Sequence, residues 1–183
     1  MPSDPQADTA ALTIARFDKA LHDRSGFSCG FAPIDNFLKS SLSDQVKEGM
    51  VTAWMATADP SPAVLGFFTL NAMAVRADLG PKKWERVRVP DIPVIYIRAV
   101  AVHQQMQGKG VGTALLIDAM RRCAEISEQM GAAAIVLDVL DGDNAERRWK
   151  FYAELGFKPL GDPYIPRRVF IPMADVRASL AEA

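Results

Sequence analysis

The clearest chemistry in the sequence lies in seven consecutive residues, Gln107-Gly108-Lys109-Gly110-Val111-Gly112-Thr113. Three glycines at alternate positions leave no Cβ atoms in the way. Successive backbone N–H groups can then turn inward on an anion at the positive end of a helix dipole. A diphosphate fits that description. A P-loop needs Gly, four residues, then Gly-Lys-Ser/Thr, and this segment lacks it, so ATP is disfavoured. The dinucleotide fingerprint needs Gly-x-Gly-x-x-Gly, and Gly112 comes one residue too soon, although Asp138 or Asp141 at the next strand could mimic its ribose-binding acid. A tight turn without a ligand is the bland alternative, for which one glycine would suffice. The remaining reactive residue types are sparse. Cys29 and Cys123 are far apart and in no paired motif, so they read as buried small residues and no metal site is expected. His22 and His103 are isolated, and an isolated histidine is more often packed or at the surface than catalytic.

The turn's amides need a strand before them and a helix behind them, and both are legible. Pro93 to Val102 reads as a strand, and Val111 to Met130 as a helix with Leu115, Ala119, Cys123, Ile126 and Met130 on one stripe. Ala133 to Leu140 reads as a second strand. Asn144 to Leu155 reads as a helix ending at Gly156, and Phe157 to Leu160 with Val169 to Ile171 as the last β pieces. Upstream, Asp35 precedes Phe37, Leu38, Leu42 and Val46, a helical spacing that stops near Gly49. Val51 to Ala58 and Val64 to Ala74 pair as a hairpin, and residues 76 to 93 form an ordered basic loop with at most one helical turn. Helix and hairpin first, then strand, glycine turn, helix, strand, helix and strand, predict an α+β fold: a mixed, mostly antiparallel sheet flanked by helices.

Composition narrows the function classes. The 183 residues, 23% charged and 49% hydrophobic, suit one domain from residue 11 to 183 after a flexible lead of residues 1–10. The net charge of −1 gives no global basic field, so a polyanion would need a local patch. No apolar stretch approaches the ~20 residues that span a bilayer, and the N-terminus has no basic lead or apolar core of a secretion signal, so no membrane and a cytoplasmic location are expected.

Gln107, Gly110 and Gly112 after a strand ending Val100-Ala101-Val102 resemble the acetyl-coenzyme A motif of GNAT-type N-acetyltransferases, a resemblance running from about Leu12 to Ile171. It implies the GNAT acyl-CoA N-acyltransferase fold and acetyl-CoA as acetyl donor. It also implies that the backbone of Val100, Ala101 and Val102 holds the pantetheine arm, and that Gly108, Lys109, Gly110, Val111, Gly112 and Thr113 hold the diphosphate. The family fold further implies a splay between the Pro93–Val102 and Ala133–Leu140 strands. Phe151-Tyr152-Ala153-Glu154-Leu155-Gly156-Phe157 is similar to the Phe-Tyr-x-x-x-Gly-Phe ending of many GNAT enzymes, in which the tyrosine often protonates the leaving thiolate, so the resemblance makes Tyr152 the catalytic residue. A phenol with an ordinary pKa of about 10 keeps its proton at neutral pH, and a departing thiolate with a pKa near 8.5 needs only a hydrogen bond or a proton. Where many relatives have a cofactor-touching asparagine this chain has Ala145, with Asn144 one place earlier as a cofactor contact or a helix N-cap.

Phe27-Ser28-Cys29-Gly30, Ile34-Asp35-Asn36-Phe37-Leu38, Gln45, Gly49 and Gly66-Phe67-Phe68-Thr69-Leu70 are similar to the start of the GNAT toxins of bacterial toxin–antitoxin modules. That resemblance implies acetylation of the α-amino group of aminoacyl-tRNA, inhibition of translation, a ribbon-helix-helix antitoxin and a homodimer. The scarcity of base candidates points the same way. An α-amine with a pKa near 7.7 is about one-sixth neutral at pH 7, and a lysine amine is neutral in about one molecule in 2,500, although acids or water chains can also serve as base. Lys82, Lys83, Arg86 and Arg88, with Arg147, Arg148 and Lys150, are candidate phosphate contacts on the acceptor, or simply a solvated face. Arg98, in a strand that reads as buried, needs an acidic partner or a substrate phosphate. Two alternatives stay open: an acceptor that is a small-molecule amine or a protein N-terminus, and a non-catalytic acyl-CoA-binding partner module.

Overall fold

A computed structural model describes residues 11–182, so the proposed lead of residues 1–10 lies outside the described residues. Seven strands form one open sheet in the order β1-β2-β3-β4-β5-β7-β6. They are β1 (Leu12–Arg16), β2 (Thr52–Ala58), β3 (Ser61–Arg76), β4 (Asp91–Val102), β5 (Ala134–Asp138), β6 (Lys158–Pro159) and β7 (Arg168–Pro172). β4 and β5 pair in parallel, while β1–β2, β5–β7 and β6–β7 are antiparallel. The mixed, mostly antiparallel sheet expected from the element order is therefore present. Among the described residues, no helix is long and apolar enough to cross a membrane.

The chain divides into two compact units, the first comprising residues 11–67 with Ala101–Leu115 and the second Phe68–Val100 with residues 116–182. In the first, the expected helix before Gly49 begins three residues early and has three parts: α1 (Ala32–Asn36), a π-helical turn (Phe37–Ser41) and α2 (Leu42–Lys47). Pro33 starts it, where a missing N–H costs nothing. Leu38 and Leu42 are fully buried, and Phe67 packs edge-on against Phe27 at 5.6 Å between centroids. β2 and β3 are joined by two residues, which forces them antiparallel as the hairpin reading requires.

In the second unit, α4 (Val111–Gln129) contributes Leu116, Ala119, Met120 and Cys123 to the core, while Met130, placed on the same stripe by periodicity, lies beyond the helix end and is half-exposed. The other face of the sheet gathers Val75, Ile92, Val94, Ala134, Val136 and Phe170 around Trp84. The basic loop holds two short helical turns where at most one was expected, a 3-10 turn (Ala77–Leu79) and α3 (Lys82–Glu85), and Trp84 of α3 packs on Phe170 at 5.3 Å. α5 (Ala145–Glu154) and α6 (Met173–Ala181) complete the unit. The sequence reading omitted β1 and α6.

Candidate active site

The glycine turn belongs to the first unit. After β4 the chain makes a short 3-10 turn (Gln104–Met106), extends at Gln107 and reverses at Gly108 (φ +77°) and Gly110 (φ +84°) before α4 starts at Val111. Both angles lie where an L side chain is strained, and a Cβ at either position would meet no protein atom within 4 Å. Glycine is thus required by the backbone path, and the space outside it is open. The Ala114 N–H bonds Gly110 O at 3.0 Å, so the amides of Val111, Gly112 and Thr113 are the first-turn donors that a helix leaves unbonded. Lys109 and Thr113 are exposed beside them. A diphosphate fits this arrangement of open amides, positive helix end and exposed ammonium.

The turn is braced from behind by the Phe27–Gly30 segment. Gln107 Nε2 donates to Val102 O and Cys29 O, both at 3.0 Å, which ties the turn to that segment. Gln104 N–H donates to Ser28 O at 2.8 Å. Asp35 accepts from the Cys29 N–H at 2.8 Å and the Ser28 hydroxyl at 3.1 Å. Partial burial works against the Asp35 carboxylate, but these hydrogen bonds and the Lys39 charge prevail and hold its pKa below the ordinary value. Burial pushes the Cys29 thiol up to about 11, and burial pushes Cys123 to about 12, so both stay protonated at neutral pH. Among the described residues, no group of three or more His, Cys, Asp or Glu is placed to hold a metal ion.

Gly66 on β3 is a positioning residue that sequence reasoning missed. A Cβ there would lie 2.8 Å from Leu115 Cδ1, 3.1 Å from Ala101 O and 3.3 Å from Val111 Cγ1. Its bare backbone lets the first turn of α4 pack down on the strand, and a glycine inside an apolar strand was the available signal. Gly66→Val should therefore push out the start of α4 and cost about 1–3 kcal/mol of stability, read by urea unfolding.

Both histidines are engaged structurally in the first unit. His103 Nδ1 accepts from the Gln105 N–H at 3.2 Å and Nε2 faces Gly26 O at 3.2 Å. His22 is buried, stacked on Phe17, with Nδ1 3.0 Å from the Asp18 backbone N–H. Both ring nitrogens of His103 are thus engaged, and His22 is held by its Nδ1 in a buried position.

In the second unit, Tyr152 lies on the last turn of α5, its ring between Phe151 (5.4 Å) and Phe157 (5.9 Å). Burial pushes its phenol up to about 12, with the Arg148 cation one turn earlier pulling the other way. The hydroxyl therefore holds its proton throughout the neutral range. Arg148 is tied to the backbone ahead of α5: its Nη1 donates to Leu140 O and Asp141 O, both at 3.3 Å. Arg147, Lys82 and Lys83 are exposed. Asn144 occupies the N-cap position, but its side chain makes no capping hydrogen bond and is exposed, which corrects the capping alternative.

Arg98 corrects a second expectation. It is exposed, because the outward positions of β4 alternate with buried Ile97 and Ala99. Asp138 is no ribose-binding acid either. Arg168 holds it with Nε and Nη2 at 2.7 and 2.9 Å, and the Tyr96 hydroxyl donates to it at 2.8 Å. Burial first, and that bond second, push Tyr96 up to about 12. The parallel ladder joins Ile95–Ile97 to Ile135–Leu137, and β4 itself continues to Val102.

The family of the chain follows from its likeness to known proteins. The profile of the acetyltransferase (GNAT) domain matches residues 53–159, a span that includes the glycine turn and Tyr152. The chain belongs to the GNAT acetyltransferase family. This acetyltransferase is 36% identical over 175 residues to a probable toxin TacT of Sinorhizobium fredii, covering 92% of this chain and 95% of the relative. It is 30% identical over 161 residues to a tRNA-acetylating toxin of Mycobacterium tuberculosis, covering 87% and 92%. Among solved structures, AtaT complexed with acetyl-methionyl-tRNAfMet superposes with a TM-score of 0.83 at 25% identity, covering 93% of this chain and 99% of that one. AtaTR bound with AcCoA gives 0.77 at 25% identity, covering 92% and 98%. The acetyltransferase thus has the GNAT fold that its glycine motif implied.

Proposed function

We propose that this chain transfers the acetyl group of acetyl-CoA to the α-amino group of an aminoacyl-tRNA and so blocks translation. The open glycine turn carries the donor half of the reading: Gly108 and Gly110 take positive φ with open space outside them, and the amides of Val111, Gly112 and Thr113 head α4 without an intrahelical acceptor. The acceptor half is supported by near full-length likeness to a tRNA-acetylating toxin. Acetyl-CoA supplies an activated thioester for a neutral amine to attack.

The chain's own residues divide the work. Backbone amides at Val100, Ala101 and Val102 hold the pantetheine arm and polarise the thioester carbonyl. Lys109 adds a charge to the phosphates, and exposed Asn144 is a further coenzyme contact. Tyr152 donates a hydrogen bond to the departing sulfur. With a phenol near 12 against a thiol near 8.5, full proton transfer from tyrosine is uphill, so donation of the hydrogen bond is its main role. Lys82, Lys83 and Arg147 meet acceptor phosphates, and exposed Arg98 is a further contact to the acceptor. The scarcity of histidines suits an α-amine, which needs little help to lose its proton.

The same reading places one acetyltransferase domain over residues 11–183 in the cytoplasm, as a homodimer, paired with a small ribbon-helix-helix antitoxin. The test is mass spectrometry of amino acids released from aminoacyl-tRNA after incubation with acetyl-CoA. An added acetyl mass on the α-amine is expected. Unmodified amino acids across all charged tRNAs, with a small amine acetylated instead, would contradict it.

A further inference from the structure

Tyr164 is 89% exposed at the tip of the loop between β6 and β7, yet the loop beneath it is firmly held. The N–H groups of Tyr164 and Ile165 donate to Asp162 Oδ1 at 2.9 and 3.2 Å. Asp162 Oδ2 accepts from Arg168 Nη1 at 3.4 Å, and Arg168 is in turn locked onto Asp138. Leu160, at the foot of the loop, is buried and bonded through its N–H to Arg168 O at 2.9 Å. A pinned backbone holds the aromatic ring in water with its orientation fixed, which suits it to meet a partner at little entropic cost.

The surroundings indicate which partner. The loop adjoins the basic segment of the same unit: Gly161 sits against Leu79 O, and Trp84 packs on Phe170, while Arg76 at the start of that segment is paired with Asp78. Residues 76–91 carry five cations, Arg76, Lys82, Lys83, Arg86 and Arg88, against three acids, Asp78, Glu85 and Asp91. A flat ring with a free face beside an excess of cations matches an unpaired nucleotide, which offers a base to stack and a phosphate to neutralise.

We infer that Tyr164 is a stacking platform for an unpaired nucleotide at the 3′ end of the acceptor RNA, with the cations of residues 76–91 contacting its phosphates. The inference rests on the tRNA reading above and adds a contact to it. A protein or small-amine acceptor would leave the ring unused.

The test compares binding of uncharged tRNA with its unpaired 3′ nucleotides against the same tRNA trimmed of them. The wild type is expected to bind the intact RNA about tenfold more tightly, within the range for stacking one base. Tyr164→Ala should lose most of that preference, keeping only the part that the removed phosphates supply, while Tyr164→Phe should behave as wild type. Acetyl-CoA affinity should be unchanged in both variants, which checks that they are folded. Discrimination by Tyr164→Ala equal to that of wild type overturns this inference alone. No tRNA binding by the wild type overturns it together with the tRNA reading.

Discussion

Tyr152→Phe should lower kcat for acetyl transfer by roughly 100-fold or more while leaving acetyl-CoA affinity nearly unchanged, the size expected for loss of a positioned proton donor. The substitution removes one oxygen and keeps the ring that Phe151 and Phe157 hold, so α5 and the packing around it survive. What is lost is the hydrogen bond to sulfur as the carbon–sulfur bond breaks. The pH profile separates this from a packing defect. Because burial raises the Tyr152 phenol to about 12, above its ordinary value near 10, its proton is present at all lower pH values and lost only as pH rises through that point. Wild-type turnover should therefore climb with deprotonation of the acceptor amine, near pH 7.7, and show no falling limb from Tyr152 below about pH 11. Steady-state kinetics across pH, with calorimetry for the coenzyme, checks both halves. Turnover of the variant equal to wild type would remove Tyr152 from the chemistry.

Gly110→Val should weaken acetyl-CoA binding by roughly 100-fold, since two effects act together. At φ +84° a β-branched residue is strained, which favours another backbone path and turns the amides away from a common centre. In the native path, its side chain would project into the open space that the diphosphate needs. Gly131→Ala serves as the control, because Gly131 has no positive φ and a Cβ there meets nothing within 4 Å. Isothermal titration should show the coenzyme bound normally by the control. Equal affinity in wild type and Gly110→Val would show that the turn does not hold the ligand.

The parts legible in the sequence were those written in local spacing. Alternating glycines between an apolar run and an amphipathic run locate the turn, and the strand–helix–strand order around α4 makes the β4–β5 pair parallel. Elements held by few contacts were not legible. α6 buries little beyond Met173 and Val176, leaving a weak periodic signal. β1 is a short strand whose burial does not alternate, so its membership of the sheet comes from pairing with β2, some forty residues away. At the site, Gln107 matches the motif, yet its side chain braces Cys29 and Val102, a role visible only once residues 78 positions apart are brought together. The likeness of Phe27–Gly30 to the toxins acquires a physical reason in the same contacts: that segment is the backing of the glycine turn. Arg98 read as buried because its neighbours are apolar, whereas strand alternation turns it outward.

The most direct measurement compares, by calorimetry on the wild type and on Gly110→Val, acetyl-CoA with S-acetyl-pantetheine, which has the same thioester and arm but neither the diphosphate nor the adenosine 3′-phosphate beyond it. Only the wild type should discriminate strongly between the two. If the amides of Gly108 to Thr113 grip the diphosphate, the truncated donor binds at least about 100-fold more weakly, as several charge-assisted hydrogen bonds are lost. Equal affinity for the two donors would contradict the account, because the coenzyme would then be held without the turn.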